Sequence, residues 1–163
     1  MQSRHSLSRG FTLIELVTTI ILIGILAVVA IPRLLSASSY SAYSLRNEFM
    51  AQLRKAQLFA MNNTDLCIRV AVSSDKGYRI ERYQSRTSNQ CSGAQDVAHE
   101  QPWQSFQGGS ELALLAGGTR SFNLDFDTLG RLPATGCNGD CILAIADETL
   151  VLAIESEGYI HAR

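Results

Sequence analysis

Proline is scarce in this chain, 3 of 163 residues, and glycine numbers only 12. A collagen repeat and a low-complexity array are thereby excluded. Neither charge predominates: 14 Lys and Arg stand against 15 Asp and Glu, a formal net charge of −1. That rules out a chain-wide polycation for nucleic acid, although a local basic patch stays open. Catalytic signatures are missing too, with no G-x-S-x-G, no H-E-x-x-H and no Walker-type loop. His5, His99 and His161 lie far apart, without a nucleophile partner at any fixed spacing. The expectation is a non-enzyme with no cofactor. Four cysteines are too few for a disulfide scaffold but enough for two bridges.

What is present is apolar and unevenly placed. Between Arg9 and Arg33 the only ionisable residue is Glu15, and Phe11 to Ile31 makes an apolar run of 21 residues. As a helix it would be roughly 32 Å long, matching the hydrocarbon core of a bilayer. A buried core helix is the alternative, but such a helix normally keeps a polar face. Upstream, Arg4, His5 and Arg9 stand without an acid, so this end is expected to stay cytoplasmic while the bulk of the chain is exported. The run ends in AVVAIPRLLSAS, a poor match to an ordinary signal cleavage site. Glu15 inside the run is expensive in lipid, and such residues tend to have a specific partner.

These residues carry a resemblance. Arg9-Gly10-Phe11-Thr12-Leu13-Ile14-Glu15, followed by Gly24 and Pro32, resembles the prepilin cleavage motif of type IV pilins and type II secretion pseudopilins. The resemblance implies cleavage between Gly10 and Phe11 by a prepilin peptidase, with methylation of the new amino group of Phe11. It implies that Glu15 pairs with the Phe11 ammonium of a neighbouring subunit, which offsets the desolvation of both charges. Gly24 and Pro32 would mark a stretch that can loosen in a fibre; Pro32 lacks an N–H and crowds the carbonyl of Val28. The division expected is a basic leader 1–10, a transmembrane assembly helix 11–32 and a periplasmic pilin-like domain 33–163. Other pilin subunits, the peptidase and an inner-membrane assembly platform would be the partners.

Beyond Arg33 the helical character continues to Asn63, now amphipathic. Leu45, Phe49, Leu53, Ala56 and Ala60 form one stripe at helical period, with Arg46, Glu48, Arg54 and Lys55 off it. The two halves read as a single long helix, whose second half packs on a sheet. Leu66, Ile68, Val70 and Val72 then alternate with Cys67, Arg69, Ala71 and Ser73 as a half-buried strand. A turn at Ser74-Asp75-Lys76-Gly77 leads to a return strand from Tyr78 to Tyr83. Residues 84–110 read as a long polar loop, a candidate functional surface. Further strands are expected at 122–126, 142–146, 150–155 and 159–161. One long N-terminal helix followed by five or six antiparallel strands is an α+β roll, the pilin-like layout.

Two finer resemblances narrow the family. Phe126-Asp127-Thr128-Leu129-Gly130-Arg131-Leu132-Pro133 resembles a strand-turn of H-type minor pseudopilins. Chain length and the later cysteine pair are similar to minor prepilins of mannose-sensitive haemagglutinin pili. Together they imply a minor structural subunit of a pilus or secretion pseudopilus.

Export would place the cysteines in an oxidising compartment. Cys137 and Cys141 bracket a turn-rich loop that can close locally, which would leave Cys67 and Cys91 for each other. Four cysteines allow three pairings, and the sequence leaves the choice open. A zinc site is the rival, but no His flanks these cysteines. Asp125 and Asp127 share a strand face, too few acids for calcium, and are expected to face solvent. From Arg69 to Arg86 five basic residues face Asp75 and Glu81, with Tyr78 and Tyr83 interleaved. Arg79, Arg82 and Arg86 are candidate contacts for an anion or a nucleic acid strand. The plainer reading is a solvated hairpin whose Arg stems cover apolar edges. With the 84–110 loop, this hairpin would serve a tip subunit acting as an adhesin or DNA-uptake module.

Overall fold

The computed structural model describes residues 11–35, 42–134 and 137–163, with the side chains of 29–35 left aside. The chain divides into two compact units, Met1–Ala37 and Ser38–Arg163.

The first unit contributes helix α1, Leu13–Leu35. Thr12 starts it: its hydroxyl oxygen accepts the Glu15 N–H at 3.3 Å, and its carbonyl oxygen accepts the Leu16 N–H at 3.2 Å. Thr12-Leu13-Ile14-Glu15 has the Thr-x-x-Glu spacing of a helix N-terminus, and Glu15 in the first turn suits the positive end of the helix dipole. The helix runs on through Pro32. Its apolar side chains stand exposed, from Leu13 at 82% to Val28 at 74%. Among the described residues no helix is long and apolar enough to cross a membrane.

The second unit opens with α2, Ala42–Asn62. The expected single long helix falls in part on 36–41, which lie outside the described residues. Asp147, from a distant hairpin, accepts the Ala42 N–H at 3.1 Å and so satisfies a donor at the start of α2. Leu45, Phe49, Leu53, Ala56 and Ala60 are all buried, so the stripe is the face that meets the sheets.

Among the described residues there are eight strands. They are β1 Cys67–Ser73, β2 Gly77–Thr87, β3 Gln90–Gln95, β4 Glu111–Leu114, β5 Phe122–Phe126, β6 Gly139–Ile145, β7 Thr149–Ile154 and β8 Ile160–Ala162. They form two four-stranded antiparallel sheets, ordered β3-β2-β1-β5 and β4-β6-β7-β8. The expectation of one sheet with five or six strands is corrected accordingly. The chain visits the sheets alternately: β4 leaves for the second sheet, β5 returns to the first. Period-2 patterning identifies a strand but not the sheet it joins.

α2 lies against both sheets. Its stripe meets Ile68, Val70, Val72, Tyr78, Ile80, Phe122, Leu124 and Phe126 from the first sheet. Leu112, Ile142, Ala144, Leu152, Ile154 and Ile160 complete the same core from the second. Phe49 and Tyr78 meet edge to face with centroids 5.1 Å apart. Burial and the nearby Glu48 push the Tyr78 hydroxyl up to about 12.

The long loop expected at 84–110 is also corrected. β2 continues to Thr87, turns at Ser88 and Asn89, both at positive φ, and returns as β3. Two successive positive-φ residues make the tight hairpin turn that matches strand twist. The hairpin escaped the sequence reading because β3, Gln-Cys-Ser-Gly-Ala-Gln, is polar or small on both faces. β4, Glu-Leu-Ala-Leu, is too short to display a period.

Candidate functional site

The N-terminal segment holds the first set of candidate residues. Gly10 lies outside the described residues. Phe11 is 80% exposed just before the helix, and Glu15 is exposed one turn in. Gly24 is exposed, and a methyl group there would meet nothing within 4 Å. Pro32 lies within the helical span of α1. The sequence reading overlooked Thr12, whose capping role is signalled by its spacing from Glu15.

A second assembly lies on the face of the first sheet turned away from α2. Strand alternation puts Cys67, Arg69 and Ala71 on this face of β1, Arg79, Glu81 and Tyr83 on β2, and Asp125 on β5. Registry places Asp125 opposite Arg69, and Arg69 opposite Glu81, in a row of alternating charge. Arg69 grips Asp125 with both ends of its fork, Nε to Oδ1 at 2.6 Å and Nη2 to Oδ2 at 2.8 Å. Asp125 is only 4% exposed, which corrects the expectation that it faces solvent. The Asp125 carboxylate holds the Arg69 guanidinium above its ordinary value, burial working the other way. Arg69 also stacks over Tyr83, 4.9 Å from the ring centroid. Tyr83 donates to Glu81 Oε2 at 2.9 Å, and Arg79 Nε donates to Glu81 Oε1 at 2.8 Å. Burial, then the bond to Glu81, pushes the Tyr83 hydroxyl up.

This network fastens the polar segment down. Arg79 continues to Glu100, and its guanidinium stacks 4.4 Å from the centroid of Trp103. At the other end Asp125 Oδ2 accepts the Cys91 N–H at 2.9 Å, and Arg69 Nη2 donates to the Cys91 carbonyl oxygen at 3.2 Å. Cys91 is bonded to Cys67, with Cα atoms 5.3 Å apart, and Cys137 is bonded to Cys141. The β2–β3 hairpin, already paired to β1 through β2, is further pinned by one covalent bond and two backbone contacts.

The candidate basic contacts fare differently from one another. Arg79 is engaged by Glu81 and Glu100, and Arg86 donates to the Phe126 carbonyl oxygen. Arg82, on the opposite face of β2, stacks over Phe59 of α2 at 5.1 Å. The three do not converge on one surface.

The 126–133 segment is a tight turn organised by one carboxylate. Asp127 Oδ1 accepts the N–H groups of Leu129 at 2.9 Å and Arg131 at 2.7 Å, and Oδ2 accepts Arg131 Nε at 2.9 Å. Desolvation opposes ionisation of Asp127, but these hydrogen bonds outweigh it and hold the carboxyl below its ordinary value. Gln57 Nε2 donates to the carbonyl oxygens of Gly130 and Gly158, each at 2.7 Å. Both glycines have positive φ, and a methyl group at Gly158 would press into the Gly130 carbonyl.

No curated protein and no solved structure is a match to the chain. Residues 5–31 match a family model described as the prokaryotic N-terminal methylation motif. The matched stretch includes Phe11, the Thr12 cap, Glu15 and the exposed apolar part of α1. This motif implies an N-terminus anchored in the inner membrane before assembly, association with other pilin subunits and processing by prepilin peptidase. The chain carries the processing signal of type IV pilins and pseudopilins, followed by an α+β domain.

Proposed function

We propose that this protein is a minor structural subunit of a type IV pilus or a secretion pseudopilus, not an enzyme. The observation that carries the reading is the methylation motif on a helix whose apolar side chains stand exposed. Such a surface needs lipid before assembly and neighbouring subunits afterwards. In this reading residues 1–10 are a cytoplasmic leader, 11–32, which run beyond the described side chains by residues 29–32, anchor the chain in the inner membrane, and the domain from 33 to 163 is periplasmic. Two disulfides suit that oxidising compartment. The peptidase cuts between Gly10 and Phe11 and methylates Phe11. Glu15 then sets register by pairing with the Phe11 ammonium of an adjacent subunit, Gly24 and Pro32 let the helix adjust, and an inner-membrane platform drives assembly.

Two measurements test the proposal. Mass spectrometry of the cellular product should find an N-methylated chain beginning at Phe11; an intact leader would reduce the protein to a simple tether. Glu15→Val should be processed yet absent from sheared fibres. Incorporation at the wild-type level would refute the role given to the carboxylate.

A further inference from the structure

We propose that the Arg69–Asp125 ion pair is a template for disulfide formation, selecting the Cys67–Cys91 pairing from the three that four cysteines allow. The proposal rests on what the pair does with its remaining hydrogen-bonding capacity. Arg69 and Asp125 neutralise each other across β1 and β5. Each then reaches one polar group of the Cys91 backbone: Asp125 Oδ2 takes the N–H at 2.9 Å, and Arg69 Nη2 gives to the carbonyl oxygen at 3.2 Å. Arg69 sits two residues after Cys67 on the same face of β1, so gripping Cys91 here brings its side chain to Cys67.

Neither contact involves sulfur, so the reduced chain can make both before any bridge exists. The contacts are charge-assisted, the stronger class of hydrogen bond. They also complete the solvation of a carboxylate that is 4% exposed, which a bare pair at this depth would lack. The 24-residue separation between the two cysteines makes such guidance valuable. Cys137 and Cys141 are only 4 apart and meet without it.

The covalent step needs a disulfide oxidant, RSSR. One cysteine thiolate attacks RSSR and releases RS⁻, leaving a mixed disulfide. The second cysteine thiolate displaces the remaining RS⁻. Two protein thiols and RSSR become one protein disulfide and two RSH, two electrons passing to the oxidant. The template acts on the second displacement, by raising the effective concentration of one sulfur at the other.

The test uses the full chain in detergent micelles, reduced and then equilibrated in mixtures of oxidised and reduced glutathione. Acid quenching, alkylation and peptide mass spectrometry give the effective concentration of each bridge. Asp125→Asn and Arg69→Met should each lower that of Cys67–Cys91 by about tenfold or more, since each strands a buried partner. Cys137–Cys141, the internal reference, should stay within about twofold of wild type, and isomers joining Cys91 to Cys137 or Cys141 should rise. Asp75→Asn, which removes an exposed carboxylate in the turn between β1 and β2, should leave both bridges unchanged. An unaltered Cys67–Cys91 bridge in both template variants would overturn the proposal. A parallel fall of both bridges would overturn it equally, because the pair would then serve the domain as a whole.

Discussion

The side-chain amide of Gln57 has two N–H bonds and gives one to each of two positive-φ glycines. It ties the turn after β5 and the turn before β8 to α2, two segments far apart in sequence. Gln57→Ala leaves both carbonyls without this donor and should cost about 1–3 kcal/mol, read as a fall in the urea midpoint with an unchanged slope. Asp127 supplies a pH prediction. Its carboxyl is held below the ordinary value of 3.8 in the folded chain, so the unfolded chain binds the proton more readily. The stabilisation is fully present above the unfolded value and drains away as pH falls through the folded one. Asp127→Ala should therefore flatten the acid limb of stability measured below about pH 4. At this scale the sequence was partly legible. The 126–133 turn was visible as a motif, but its partner Gln57 was invisible, because nothing local in α2 distinguishes a clamping glutamine from a solvated one.

Among the elements, α2 was the most legible. An unbroken apolar stripe over several turns has few alternative uses, and each of its five residues is buried. Phe49→Ala should cost about 3–5 kcal/mol, because the ring is fully buried and packs on Tyr78. β3 was the least legible. Besides its ladder with β2, it is fixed by Cys91 meeting Cys67, Arg69 and Asp125, contacts made across long separations that leave no periodic trace. The two disulfides should differ in worth. By chain entropy the wider Cys67–Cys91 loop contributes about 3.5 kcal/mol and the Cys137–Cys141 loop about 2 kcal/mol. Paired Cys→Ala replacements, compared by thermal unfolding, should preserve that order.

The Ser38–Arg163 unit as a whole places two sheets on one helix, with the chain crossing between them at β4 and β5. Neither sheet can leave α2 without exposing residues that the other also needs. Unfolding should therefore be one cooperative event: hydrogen exchange from the central strands β1 and β6 should report the same opening free energy. Two distinct plateaus would mean that the sheets come apart separately. The α+β class was readable from the order of helix and strands. The division into two sheets was not, since each strand pattern is satisfied by an apolar neighbour on either side.

The fastening of the β2–β3 hairpin has a consequence for how this protein can change over generations. Beyond the ladder that joins β2 to β1, the hairpin is pinned by Cys91 and by three residues outside it, Cys67, Arg69 and Asp125. Exposed positions such as Gln84 and Gln90 add little to the core. Substitutions at those two positions should therefore accumulate without disturbing the fold beneath.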